Sequence, residues 1–345
     1  MSIDAKLYGV DLFGEPLRPE VTSPVAQKFL IPPFTVLNSR EGDWQARKRA
    51  WKDFGIVGEK GRDAPPGGSA MPATDYSKSG ARGYGDGKAI PGTERRVKGS
   101  NCTAVKNSCM FGKDDEDSGG GVTSIFDPVV CELAYRWFTG EGAQIIDPFA
   151  GGSVRGIVAS CLGRNYWGCD LRAEQIEANR AQGEALCPDN PPQWICGDSL
   201  SDLDSAPMAD FIFSCPPYGD LEEYSDDPLD LSHMDHAAFL VAYRAIIAKA
   251  CAKLKQDRFA CFVVGDFRDK KGNYRNFVSD TIQAFLDAGM NYYNEAILVT
   301  SVGSASMRVT KQFESGRKFA KTHQNILVFV KGDGKRATQA MSKQP

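Results

Sequence analysis

Three aspartates close three successive apolar runs, and the next such run closes in two prolines and a tyrosine. Asp147 opens the stretch Asp147-Pro148-Phe149-Ala150-Gly151-Gly152-Ser153, Asp170 ends NYWGCD ahead of Leu171, and Asp198 ends QWICGD ahead of Ser199. If the runs are strands of a parallel sheet, all three acids reach its carboxyl edge, where such sheets bind ligands. Glycines after the first strand let the backbone approach a ligand closely. Asp170, 19 residues beyond Gly151, is placed to accept hydrogen bonds from ribose hydroxyls. Asp198 is placed to accept one from an adenine amino group. The expected ligand is an adenosine cofactor.

A nicotinamide dinucleotide fits this frame poorly. A G-x-G-x-x-G reading anchored on Gly151 and Gly156 puts Ser153 at the central glycine, where the backbone must pass close to a pyrophosphate. Asp147 would also repel phosphates. An acid there suits a cofactor with a cationic amino group. S-adenosylmethionine has that amino group, a sulfonium and no phosphate.

The fourth run ends in Ser214-Cys215-Pro216-Pro217-Tyr218. Consecutive prolines fix two φ angles and remove two N–H donors, leaving a rigid loop that presents carbonyl acceptors. Such a loop can hold an exocyclic amine by its hydrogens, with the lone pair turned toward a methyl donor. Tyr218 adds an aromatic face for a base taken out of its stack.

The elements that must position these residues follow from periodicity. Asp127-Pro128 is an N-cap followed by a proline at the first helical position, and Val130, Leu133, Ala134, Trp137 and Phe138 recur at helical spacing. Short apolar strands then alternate with helices, the clearest over residues 239–254. This pattern predicts an α/β fold, a doubly wound and mostly parallel seven-stranded sheet. The last two strands lack a long helix between them, so an antiparallel strand is expected at one edge.

Composition bounds the rest. The chain has 345 residues, 41 Lys+Arg against 44 Asp+Glu, and a net charge of −3, which excludes a globally basic nucleic-acid coat but not local patches. No apolar run approaches a membrane span. No secretory leader is apparent, so a cytoplasmic protein with reduced thiols is expected. The 10 cysteines include no C-x-x-C pair, and His233, His236 and His323 stand apart from them, so no metal is expected. Between positions 58 and 121 lie 14 of the 35 glycines and almost no large aliphatics, the composition of a flexible insert. The expected organisation is a basic, aromatic N-terminal segment over 1–57, that insert, a catalytic domain over 122–335 and a tail over 336–345.

The loop at 147–152, Asp170, Asp198 and the Cys-Pro-Pro-Tyr tetrad resemble the AdoMet-dependent amino-methyltransferases of DNA, a Rossmann-like class I methyltransferase family. The likeness spans about residues 122–332, and Ser124 to Pro128 resembles the family's further motif before the glycine loop. The stretches PPFTVLNSREGDWQARKRAW, SCPPYGDLEEYSDD and KTHQNILVFVKGD are similar to a phage- and prophage-encoded methylase group, of the kind found in restriction-modification. The resemblance implies S-adenosylmethionine bound by Phe126, Asp147, Phe149, Ala150, Gly151, Gly152, Asp170, Leu171, Asp198 and Ser199. It also implies double-stranded DNA as partner, with catalysis at Cys215, Pro216, Pro217 and Tyr218 on N4 of cytosine or N6 of adenine.

Cys215 departs from that family, which has Asp, Asn or Ser before Pro-Pro. A thiol is a weak acceptor, so one grip on the target amine is weakened. A thiolate could instead add to C6 of a pyrimidine and activate C5 for methylation. RNA or a protein amide as substrate, and a degenerate DNA-binding protein, are the remaining alternatives. Two basic segments are the expected DNA contacts: Arg47, Lys48 and Arg49 beside Trp44 and Trp51, and a loop over 304–323 carrying Arg308, Lys311, Arg317, Lys318 and Lys321.

Overall fold

The computed structural model describes residues 2–17, 19, 23–57, 126–219, 230–303 and 305–341. The insert expected over 58–121, the motif residues 124 and 125, and the stretch 220–229 after the Pro-Pro-Tyr loop lie outside the described residues. Two short helices, α1 (Ile3–Tyr8) and α2 (Pro24–Phe29), precede strand β1 (Val36–Asn38) and helix α3 (Gly42–Asp53). Then come α4 (Pro128–Phe138), β2 (Gln144–Asp147), α5 (Val154–Cys161), β3 (Asn165–Asp170), α6 (Ala173–Leu186), β4 (Gln193–Cys196), α7 (Ser199–Asp202) and β5 (Ala209–Ser214). Helix α8 (His236–Lys253), β6 (Leu254–Val264), α9 (Phe277–Asp287), β7 (Asn291–Val299), α10 (Ala305–Gly316), β8 (His323–Lys331) and α11 (Gly334–Met341) follow.

The strands form one doubly wound α/β sheet in the order β1-β7-β8-β6-β5-β2-β3-β4. Among the described strands only β8 runs against its neighbours, pairing antiparallel with both β6 and β7. Among the described residues the sheet thus has eight strands, not the expected seven, and its reversed strand lies inside the sheet. The extra strand is β1, which pairs in parallel with Ile297 to Val299 at the edge. Three residues pairing with a partner far along the chain leave no local periodicity to read.

Alternation along the strands feeds two cores, because both faces are covered. Ile145, Phe211 and Phe213 enter one core, while Ile146 and Ile212 enter the other. Asp127 caps α4 by accepting from Val129 N at 2.9 Å, as the sequence predicts. Asp235 caps α8 through Ala237 N and Ala238 N, and Phe239, Tyr243, Ile246, Ile247 and Ala250 bury its stripe.

The N-terminal segment packs into this core through α3. Trp44, Arg47 and Trp51 are all buried, and their spacing puts them on one face of a helix. Arg47 is therefore no nucleic-acid contact. Its Nε and Nη2 donate to Glu132 on α4 at 2.8 and 2.6 Å, and Trp51 Nε1 donates to the same carboxylate. Burial alone would raise the Glu132 carboxyl, but hydrogen bonds and charge from Arg47 outweigh it and hold Glu132 below its ordinary value.

That depression has a definite sign. The stabilisation is present above the ordinary carboxylate range and is lost as pH falls through the lower folded value. Arg47→Met is expected to cost about 3 kcal/mol, the low end for a broken buried pair, because Arg136 still reaches Glu132 at 2.8 Å. Urea denaturation at neutral and acid pH checks this, and the difference between variant and wild type should shrink in acid.

Of the expected tail, residues 336–341 belong to α11, and 342–345 lie outside the described residues. Ala337 of α11 is fully buried, and Arg336 pairs with Asp257 at 2.8 Å.

Candidate functional site

The chain crosses from one side of the sheet to the other between β4 and β5, so β2 and β5 are neighbours whose next strands lead away in opposite directions. Ligands of doubly wound sheets bind in the crevice outside the carboxyl ends of such a pair. A cleft of about 360 Å³ opens there, within the usual range for a small-molecule site. Phe126, Phe149, Gly151, Gly152, Asp170, Leu171, Asp198 and Ser199 line it together with Cys215, Pro216, Pro217 and Tyr218. The two groups of predicted site residues share one cavity.

Asp147 and Ala150 are different, because both are completely buried. Asp147 Oδ2 accepts from Arg155 Nε at 2.6 Å and Tyr166 OH at 2.7 Å. Its Oδ1 accepts from Ser214 Oγ at 2.5 Å and Phe149 N at 3.2 Å. The expected role of Asp147 as receptor for a cationic amino group is thereby corrected: an internal guanidinium already satisfies it. Burial pulls the Arg155 guanidinium down, yet the charge of Asp147 leads a set of interactions that carry it above its ordinary value.

Asp147 and Arg155 together build the glycine turn. Arg155 Nη2 donates to the carbonyls of Phe149 and Ala150, and its guanidinium lies 4.9 Å from the Phe126 ring centroid. Gly151 adopts φ +51°, a region other residues rarely enter. Asn179 Nδ2 holds the Gly151 carbonyl at 2.7 Å, and Asp170 Oδ2 accepts from Gly151 N at 2.9 Å.

Asp170 is half-buried at the cleft wall, and burial raises its carboxyl. Each of its oxygens accepts one backbone N–H, from Gly151 and Arg172, which leaves acceptor capacity on both. Asp198 Oδ1 caps α7 through Leu200 N at 2.9 Å, while the residue still faces the cleft. Ser199 is corrected in part: its hydroxyl is committed to the Pro148 carbonyl at 2.5 Å and ties the start of α7 to the glycine turn.

Tyr218 is held at its rim by Phe267 and Phe277, ring centroids 6.2 and 6.1 Å away. Its hydroxyl accepts from Gln324 Nε2 on β8 at 2.9 Å. Gln324, Ser39, Gln45, Thr300 and Ser301 also line the cleft and escape sequence reading. They come from the two ends of the chain, and only the pairing of β1, β7 and β8 brings them here. Lys48 lies in the same wall instead of on an outer basic face, while Arg49 is exposed.

Residues 305–316 form helix α10, not the expected loop, and no residue of that helix is buried. It rises between Ser301 and Gln324, both in the cleft wall. Arg308, Lys311 and Arg317 are exposed, and the Arg317 guanidinium lies 5.3 Å from the Phe313 ring centroid. Lys318 and Lys321 are half-buried. Burial lowers the Lys321 ammonium, and its stem packs against Gly265.

The donor set fits S-adenosylmethionine. Two half-buried acids at adjacent strand ends suit a ribose and an adenine, and a glycine turn without free positive charge suits a cofactor without phosphates. Among the described residues no cluster of His, Cys, Asp and Glu could hold a metal ion, and no helix is long and apolar enough to cross a membrane.

No protein-family model matches the chain, and no curated protein matches it. Among solved structures it is similar to TrmN from Thermus thermophilus, at 15% identity over 60% of this chain and 49% of that one, with a TM-score of 0.41. The match thus spans about half the length of TrmN. It is also similar to precorrin-6y C5,15-methyltransferase from Geobacter metallireducens, at 13% identity over 61% and 90% of the two chains, with a TM-score of 0.40. A third is magnesium protoporphyrin IX methyltransferase from Synechocystis with bound SAM, at 13% identity over 59% and 76%, with a TM-score of 0.37. Likenesses at this level add nothing to what the sheet and the cleft themselves display.

Proposed function

We propose that the protein is a methyltransferase that moves a methyl group from S-adenosylmethionine to an exocyclic amino nitrogen of a DNA base, N4 of cytosine or N6 of adenine. The observation that carries this reading is the shared cleft: the acids suited to adenosine and the Pro-Pro-Tyr loop line one cavity. When bound, the cofactor supplies an electrophilic methyl group on a sulfonium.

The chain's own residues do the rest. Asp170 and Asp198 hold the adenosine by accepting its hydroxyl and amino hydrogens. Pro216 and Pro217 cannot donate, so the loop offers carbonyls to the amine hydrogens and leaves the nitrogen lone pair to attack the methyl carbon. The S–CH3 bond breaks with a neutral thioether as leaving group, and the methylated nitrogen gives up one proton to solvent. Tyr218, fixed by Gln324 and two aromatic neighbours, offers its ring to a flipped base. Helix α10 supports DNA as the substrate because the chain leaves the cleft wall at Ser301, carries exposed cations on a helix without a buried side, and returns to that wall at Gln324.

Incubating the protein with unmodified DNA and labelled S-adenosylmethionine, then identifying the modified nucleoside by mass spectrometry, tests the reading. N6-methyladenine or N4-methylcytosine is the expected product. Label on RNA or protein but not DNA would refute the substrate. A second reading, methylation at C5 of cytosine, has one observation in its favour: the half-buried Cys215 lines the cleft itself, where a thiolate could add to C6 of the pyrimidine. Formation of 5-methylcytosine is its signature.

Helix α10 has its own expected outcome. Lys311→Gln with Arg317→Gln should weaken DNA binding and flatten its dependence on salt by about one unit of log–log slope for each phosphate that is no longer neutralised. Fluorescence anisotropy at several salt concentrations measures this. An unchanged slope would remove α10 from the DNA interface.

A further inference from the structure

Asp147 is spoken for, so the amino-acid end of the methyl donor needs another receptor. We propose that Lys48 and Asp127 are that receptor, the ammonium of Lys48 taking the donor's α-carboxylate and the carboxylate of Asp127 its α-ammonium. This rests on the reading of S-adenosylmethionine as cofactor.

Both residues line the cleft. Lys48 Nζ lies 3.3 Å from Asp127 Oδ2, with side chains 34% and 18% exposed. A pair of opposite charges held side by side complements a zwitterion, since each end of the ligand meets its counter-ion. Asp127 is rigid because its Oδ1 caps α4 and its Oδ2 accepts from Trp44 Nε1 at 3.2 Å. Two acceptor oxygens facing these donors leave capacity on the carboxylate. Lys48 caps nothing and has the reach of a four-carbon stem.

The other cations in the wall are placed differently. Arg155 is buried and bound to Asp147. Arg172 lies two residues beyond Asp170, the end of β3, and its backbone N–H donates to that carboxylate, so it stands at the ribose side. Lys48 and Asp127 stand with Phe126, whose ring meets Phe213 of β5 at 5.8 Å, the strand that leads to Cys215. The amino-acid end of the donor would therefore lie on the β5 side of the glycine turn. A helix from the N-terminal segment thus completes a site otherwise built by the sheet.

Calorimetry with the full chain separates this role from others, using S-adenosylmethionine and 5′-methylthioadenosine, which keeps the adenosine and thioether but lacks the amino acid's two charges. Lys48→Met is expected to weaken S-adenosylmethionine binding at least about tenfold, as loss of a charge-assisted hydrogen bond would, and to leave 5′-methylthioadenosine binding unchanged. Lys48→Arg should restore most of the loss. Retained 5′-methylthioadenosine binding also shows that the variant's cleft is folded. Equal loss for both ligands, or loss for neither, overturns the proposal while the cofactor reading stands. A wild-type protein that binds neither ligand overturns both.

Discussion

Arg155→Met is expected to lower stability by about 4–5 kcal/mol, the upper end for a buried ion pair broken by removing one partner. Methionine roughly fills the volume, so the loss is electrostatic and not that of a cavity. Asp147 would remain fully buried with only neutral donors, the hydroxyls of Tyr166 and Ser214 and the amide of Phe149. No second cation among the described residues reaches it in the way Arg136 still reaches Glu132 when Arg47 is removed. The glycine turn also loses the donor to the Phe149 and Ala150 carbonyls. Replacing both partners, as in Arg155→Met with Asp147→Leu, should recover part of the loss, since no buried charge is then uncompensated. Urea denaturation of the two single variants and the double variant measures the coupling. Independent, additive losses would mean that the pair does not hold the turn.

Asp147 also marks where sequence reading stops. The chemistry legible along the chain is the part written at strand ends, because a period of two and the turn that follows each strand are local signals. Asp170, Asp198, the glycine turn and the Pro-Pro-Tyr loop belong to that part, and they meet in one cleft. What Asp147 does depends on Arg155 in the next helix and Tyr166 in the next strand, and no spacing rule says which way a guanidinium turns. Arg47 is misread for a related reason. A cation between two tryptophans looks like a surface for nucleic acid until Glu132, 85 residues away, is seen beneath it. The cleft wall supplied by Ser39, Lys48 and Gln324 depends on β1 and β8 joining β7. Such long-range pairing has no local trace in three residues of β1.

Cys215→Asn is expected to raise methyl transfer to DNA about tenfold, because one neutral hydrogen bond gained in the transition state contributes roughly 1.4 kcal/mol. The thiol is a poor acceptor, so in the amino-nitrogen reading the chain works with one weakened grip on the target amine, and an amide oxygen would restore it. Room exists for the change, since Cys215 is only partly buried and borders the cleft. Tyr218 keeps holds of its own, through Gln324, Phe267 and Phe277. The C5 reading predicts the opposite. There the sulfur itself adds to the pyrimidine, no asparagine can replace it, and transfer should fall by about 10⁴-fold or more, as when a covalent nucleophile is removed. The two readings thus differ by about five orders of magnitude for a single substitution. Label transfer by wild type and variant, with the product nucleoside identified, decides between them. Cys215→Ser sharpens the choice: a hydroxyl accepts better than a thiol and should keep or improve amino-nitrogen transfer, but it is too weak a nucleophile to sustain C5 chemistry.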